Sequence, residues 1–255
     1  MLIQESITDF IAEIKLQINE TNSFTPDGFA ALEGALTKMA ADNSVRVLIL
    51  SSARPDFFSN GLDPHSVHGA TPEQIQKLIS SFFSVLKKIF LFPVPVIAAI
   101  NGHAVGYGAM LGLMSDFRLL VDKGARVSFP ELNIGVSLPI FVTTALEDLV
   151  GLRATRDLLF TGLAPKPPEA LALGLVDELV EKEKLADRAR ALGKKIASLP
   201  KNATRAQKGI IRHRFAQNLD RILEEDIKQT GGLLNSPEAR EGFAAMVEKR
   251  RPKFD

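Results

Sequence analysis

Three short segments of the chain carry residue types that could do chemistry. Phe57-Phe-Ser-Asn-Gly-Leu-Asp63 and Asn101-Gly-His-Ala-Val-Gly-Tyr-Gly108 are glycine-bearing segments that follow the apolar runs at 45–50 and 94–100. A glycine turn that opens a helix leaves backbone N–H groups with no intrahelical acceptor. Such groups can hold an anion, or an oxygen that becomes negative during a reaction. The same glycines could equally serve only to bring a helix close to a strand. The third segment, Phe129-Pro-Glu-Leu-Asn-Ile-Gly-Val-Ser-Leu-Pro139, sets Glu131 among apolar residues. Burial there would raise the carboxyl pKa toward the range of a general base or acid. A glutamate that caps a helix or pairs on a rim is the plainer alternative. Together the three segments offer an oxyanion site with a proton carrier beside it.

Other chemistries are excluded or weakened. Gly106-x-Gly108 fails the dinucleotide fingerprint, because Leu111 stands three residues beyond Gly108. There is no cysteine, so disulfides, thiol nucleophiles and cysteine-ligated metals are ruled out. The 4 histidines, at 65, 68, 103 and 213, show no His-Glu-x-x-His spacing. His65 and His68, three apart, could pair on a metal, but with no third ligand motif nearby they read as part of a solvated loop. No metal or redox cofactor is expected. The 255 residues carry 31 basic and 30 acidic side chains, a net charge of +1, which gives no electrostatic reason to expect nucleic acid or an anionic membrane. The apolar stretch Ile89–Ile100 is too short to span a bilayer and is broken by Pro93 and Pro95. Neither end reads as a targeting signal, so a cytoplasmic protein is expected.

The elements that must position these segments follow from periodicity. Ile14, Leu16 and Ile18 alternate with polar residues as in a half-buried strand. Thr25-Pro26 opens a helix with Phe24 placed to staple against Phe29, and Phe29, Leu32, Leu36 and Met39 form its apolar face. Val45–Leu50 reads as a strand covered on both sides. Thr71-Pro72 opens a second helix with buried positions Ile75, Leu78, Ile79, Phe82, Leu86 and Ile89, and Val94–Ile100 is again a buried strand. The turn Gly102–Gly108 precedes a helix to about Met114, and Leu119–Val121 is a strand. Segments 153–162, 167–173 and 182–198 read as helical, with a break over Gly174–Asp177. From Asn202 onward the chain is helical and charged, with Ile210, Ile211, Phe215, Leu219 and Ile222 at helical intervals. Alternating strands and helices predict an α/β fold.

Six elements in order give the chain a family resemblance: Asn22-Ser-Phe-Thr25, Phe58–Asp63, Asn101–Ala104 with Gly106 and Gly108, Asp116-Phe-Arg118, Pro130-Glu131 with Gly135 and Pro139, and Gly162 with Ala170–Asp177. Over nearly its whole length the chain resembles the crotonase (enoyl-CoA hydratase/isomerase) superfamily. The resemblance implies a spiral core of ββα units, residues 1–198, and a C-terminal helical oligomerisation region, residues 199–255. It also implies a homotrimer or a dimer of trimers, and an acyl-CoA thioester as substrate with no cofactor. Carried onto this sequence, it assigns an oxyanion hole to the N–H groups of Leu62 and Tyr107 and acid/base work to Glu131. Substrate contacts fall on Ser59, Asn60, Gly61, Leu62, Asp63, Tyr107 and Met110. Asp63 and Asp116 are read as structural, Asp116 as the residue ending the helix after the second glycine turn.

Two departures matter. The family usually has glycine where Tyr107 stands, and tyrosine restricts the backbone and adds bulk. Hydratases have a glutamate at the position of Met110, and methionine cannot activate water. The pattern is therefore similar to the monofunctional 3,2-enoyl-CoA isomerases. Another single-carboxylate reaction (a decarboxylase, a lyase or a weak hydratase) and a non-catalytic scaffold for CoA esters stay open.

Overall fold

The computed structural model describes residues 1–254 and begins with a hairpin. Strand β1 (Ile3–Thr8) runs antiparallel to β2 (Ile11–Leu16), with Ile3 opposite Leu16 and Thr8 opposite Ile11. Asp9 and Phe10 between them both have positive φ, 52° and 65°, as a two-residue hairpin turn requires. The alternation expected over residues 14–18 falls on the second half of β2 as far as Leu16, Ile18 lies beyond the strand, and β1 carries no such pattern. Helix α1 (Pro26–Ala41) starts as the sequence predicts: the Thr25 hydroxyl accepts from the Gly28 N–H, and the Phe24 and Phe29 rings sit 5.0 Å apart. Phe29, Leu32, Leu36 and Met39 are all buried.

Each following turn of the chain lays one strand in a large sheet, one in a small sheet, and then a helix. The first is β3 (Val47–Ser52), β4 (Phe57–Ser59) and α2 (Pro72–Phe90). The second is β5 (Val96–Ile100), β6 (His103–Val105) and α3 (Tyr107–Met114). The third is β7 (Phe117–Val121), β8 (Val127–Ser128) and, after a 3-10 turn at Glu131–Ile134, α4 (Ile140–Phe160). The chain closes with α5 (Pro167–Ala172), β9 (Glu178–Val180), α6 (Leu185–Ala197), α7 (Lys201–Ala216), α8 (Leu219–Leu234) and α9 (Pro237–Val247). The large sheet has the order β1-β2-β3-β5-β7-β9 and is parallel apart from β1, and the small parallel sheet has the order β4-β6-β8. This is an α/β spiral of ββα units with C-terminal helices.

Three sequence expectations need correction. The stretch read as one turn, Gly102–Gly108, contains β6, whose three residues are held by parallel neighbours on both sides. The helix expected from residue 153 is the second half of α4, which kinks at Gly151 (φ 78°); its first half, starting at Ile140, is not among the expected elements. Its first turn has no local cap; the Ile140 and Phe141 N–H groups donate to the Asp226 carboxylate of α8, at 2.6 and 2.9 Å. Asp116 does not end α3, which stops at Met114. Its carboxylate accepts instead from the Val96 N–H, Lys208 and Arg212, at 2.8, 2.7 and 2.9 Å, and so ties β5 and α7 together.

No helix among the described residues is long and apolar enough to cross a membrane.

Candidate active site

Because three consecutive turns of the spiral end in adjacent strands of the small sheet, they deliver three groups to one place. Past β4 come Asn60, Gly61 and Leu62; past β6, Gly106 and Tyr107; past β8, Pro130 and Glu131. Gly61 has φ 91°, and a methyl group built on it would lie 2.9 Å from the Val105 carbonyl oxygen and 3.3 Å from the Tyr107 nitrogen. Only glycine allows that approach, which brings the first loop against the second. Gly106 takes the positive φ of the second turn, 54°, and leaves Tyr107 as the first residue of α3. The bulk of tyrosine therefore does not strain the backbone at the donor position. A methyl on Gly106 would sit 3.1 Å from Glu131 Oε1, so the carboxylate faces this turn.

Among the described residues, the Leu62 and Tyr107 N–H groups have no hydrogen-bond acceptor. For Tyr107 this follows from its place in the first turn of a helix, where N–H groups lack intrahelical partners and the helix dipole favours negative charge. Its ring turns away into the core, 5.0 Å from both Phe24 and Phe29 and 4.5 Å from Phe82, and its hydroxyl donates to the Phe82 carbonyl at 3.0 Å. Burial pushes its phenol well above the usual tyrosine range.

Glu131 is 9% exposed, and its Oε2 has no hydrogen-bond partner. Burial without a compensating cation pushes its carboxyl up to about 7, against a weaker lowering by its own backbone N–H. A carboxylate so placed is poised to exchange a proton near neutral pH.

These groups share a cavity of about 230 Å3, in which Glu131 is the one carboxylate among the described lining residues. Met110, buried on α3, lines it beside Tyr107. The rest is mostly apolar: Leu78, Ile79 and Phe82 from α2, Leu234 from α8, Phe243 and Met246 from α9, with Thr230 of α8 as a buried hydroxyl. Residue types alone did not reveal the contribution of α8 and α9. The signal available was spacing, since Thr230 and Leu234 lie four apart and Phe243 and Met246 three apart, each pair on one helix face. A larger groove of about 730 Å3 opens between α4 and α7, but its carboxylates, Asp116 and Asp148, are already paired with basic side chains.

Of the residues singled out from sequence, Asn60, Gly61, Leu62, Tyr107, Met110 and Glu131 meet at this cavity. Ser59 and Asp63 do not line it. Ser59 is fully buried, its hydroxyl donating to the Asn22 carbonyl and accepting from the Gly61 N–H. The Asp63 carboxylate accepts from the His65 N–H and caps the 3-10 turn at Pro64–Ser66. His65 and His68 are exposed on and just after that turn.

Comparison with known proteins places this arrangement among relatives. A family model described as enoyl-CoA hydratase/isomerase matches residues 6–255. The mitochondrial enoyl-CoA delta isomerase 1 of Rattus norvegicus is 26% identical over 254 residues, 99% of this chain and 88% of the relative. A putative enoyl-CoA hydratase of Thermus thermophilus is 30% identical over 242 residues, 91% of this chain and 92% of the relative. The crystal structure of human mitochondrial delta3-delta2-enoyl-CoA isomerase superposes with a TM-score of 0.93 at 24% identity, covering 98% of both chains, and so shares the fold.

Proposed function

Since the chain belongs to the enoyl-CoA hydratase/isomerase family, we propose that it moves the double bond of a 3-enoyl-CoA to the 2-trans position. The observation that carries this reading is the single carboxylate: Glu131 stands alone in the cavity, and Met110 occupies the place where the resemblance puts the second glutamate of a hydratase. Hydration needs one group to activate water and another to deliver a proton. A double-bond shift needs only one group.

In the proposed step, the thioester oxygen accepts from the Leu62 and Tyr107 N–H groups. The Glu131 carboxylate takes a proton from the carbon next to the thioester, and the electrons of that C–H bond pass into a dienolate whose negative charge rests on the thioester oxygen. The two N–H groups stabilise that charge more than they stabilise the neutral carbonyl. The Glu131 carboxyl then returns the proton to the gamma carbon, and the double bond settles next to the thioester. Substrate and product are isomers at the same oxidation level, and Glu131 ends the cycle as it began, so no cofactor is called for. An apolar cavity serves this chemistry by keeping water from the dienolate.

The test is a paired assay on purified protein. With 3-hexenoyl-CoA, absorbance of the conjugated enoyl thioester is expected to rise. With crotonyl-CoA, which hydration would deplete, it is expected to stay constant. Loss of crotonyl-CoA absorbance at a comparable rate would make the protein a hydratase instead, and silence on both substrates would point to a different acyl group or a binding scaffold.

Self-association is part of the same reading. Leu152 and Phe160 of α4 and Ile210 and Ile211 of α7 are 67–77% exposed in the single chain. Large apolar side chains in such numbers suit a subunit contact. Light scattering is expected to give a mass of three or six chains; a monomer would remove this part of the proposal.

A further inference from the structure

Around Leu62 the neighbouring backbone donors are all in use. The Asn60 N–H donates to the Thr21 carbonyl at 3.0 Å, Gly61 N–H to Ser59 Oγ at 3.2 Å, and Asp63 N–H to the Phe24 carbonyl at 3.0 Å. The Gly61 carbonyl accepts from the Phe24 N–H at 2.7 Å. Leu62 alone among these four consecutive residues keeps an N–H without an acceptor, because the stretch Thr21–Phe24 acts as a template for the others.

Two asparagine side chains hold that template: Asn19, whose Oδ1 accepts from the Thr21 and Ser23 N–H groups at 3.3 and 2.9 Å, and Asn22, which ties it to the sheets. Asn22 is fully buried and adopts φ 51°, a left-handed backbone that costs a non-glycine residue energy. Its Oδ1 accepts from the Ile18 N–H at 2.9 Å. Its Nδ2 faces Ser52 Oγ at 2.8 Å, the Phe58 carbonyl at 3.2 Å and the Leu16 carbonyl at 3.3 Å. The Asn22 carbonyl accepts from Ser59 Oγ at 2.7 Å. The amide therefore joins the ends of β2 and β3 to β4, and Ser59 relays that anchor to Gly61. A buried polar network with its members satisfied holds one geometry, and an oxyanion donor works only if it is oriented before the charge forms. Neither Asn22 nor Ser59 lines the cavity.

We infer that Asn22 and Ser59 are positioning residues, which aim the Leu62 N–H at the substrate oxygen through the backbone without touching the substrate. The inference rests on the reading of that N–H as an oxyanion donor, and the test separates the two. Hexanoyl-CoA labelled with 13C at the carbonyl, a saturated thioester with no double bond to move, is followed by difference infrared spectroscopy. In parallel, kcat and KM are measured on 3-hexenoyl-CoA. Wild type is expected to move the carbonyl stretch to lower wavenumber on binding. Ser59→Ala strands the Asn22 carbonyl and the Gly61 N–H. It should lose at least about half of that displacement and lower kcat about 10- to 100-fold, with KM within about threefold. A general loss of structure would move KM and the melting temperature without this spectroscopic signature. Ser59→Cys, with a weaker donor, should fall between the two. Wild-type kcat and carbonyl displacement in Ser59→Ala would overturn the inference and leave the oxyanion reading standing. Absence of any displacement in wild type would remove both. If Ser59→Ala does not fold, Ser59→Cys decides: wild-type kcat and stretch there overturn the inference, and a partial loss of both supports it.

Discussion

Glu131→Gln is expected to lower turnover of 3-hexenoyl-CoA about 10^3-fold or more, at the strong end of general acid–base effects, while changing the Kd for the acyl-CoA no more than about threefold. Glutamine has the shape of glutamate, so the cavity keeps its form, and what disappears is the ability to take up and return a proton. Both halves of the proposed reaction pass through this one group, and no other carboxylate among the described residues lines the cavity to replace it. The effect corresponds to about 4 kcal/mol of barrier. The same assignment fixes the sign of the pH dependence. Glu131 must be ionised to start the reaction, and burial holds its carboxyl at about 7. In wild type, kcat/KM should therefore climb roughly tenfold per pH unit below that value and level off above it. A loss of less than tenfold in Glu131→Gln would place the base elsewhere.

Much of this site could be read from sequence because its parts are local. The two glycine turns and the Pro130-Glu131 segment each lie within a few residues, and the helix starts at Thr25-Pro26 and Thr71-Pro72 carry their own caps; Thr71 and Gln74 even exchange hydrogen bonds as a capping box. Buried strands such as β3 and β5 announce themselves as unbroken apolar runs. What escaped is stabilised from far away. β1 exposes all but Ile3, so it has no periodicity to detect, and its turn uses Asp9-Phe10 in place of a glycine pair. Arg46 helps to hold that turn, its N–H donating to the Phe10 carbonyl and its guanidinium lying 4.7 Å over the Phe10 ring. The start of α4 depends on Asp226, 86 residues along the chain. Ser59 illustrates the limit within the site itself. Its position beside Gly61 reads as a substrate contact, and only the Asn22 carbonyl, 37 residues away, shows that its hydroxyl is already engaged.

The placement of Glu131 should also be visible in stability, with a sign opposite to that of most carboxylates. A group whose pKa is raised on folding binds its proton more tightly in the folded state. Stability is then complete below the unfolded pKa, near 4.5, and is lost as pH rises toward about 7. Above that the full penalty stands, of order 3 kcal/mol for a displacement of about two and a half pH units. Glu131→Gln removes the ionisation and with it the penalty. The variant is therefore expected to be more stable than wild type by about 3 kcal/mol at pH 8 and equal to it near pH 4.5, in urea unfolding at the two pH values. The difference between the two proteins isolates Glu131 from other titrating groups, including Asp226, whose pKa burial also raises. Equal stabilities at pH 8 would mean that the carboxylate is well solvated in the free protein, and the expected fall in activity below pH 7 would go with it. A gain at pH 8 together with lost turnover would show one residue kept charged, at a cost to the fold, for the proton it moves.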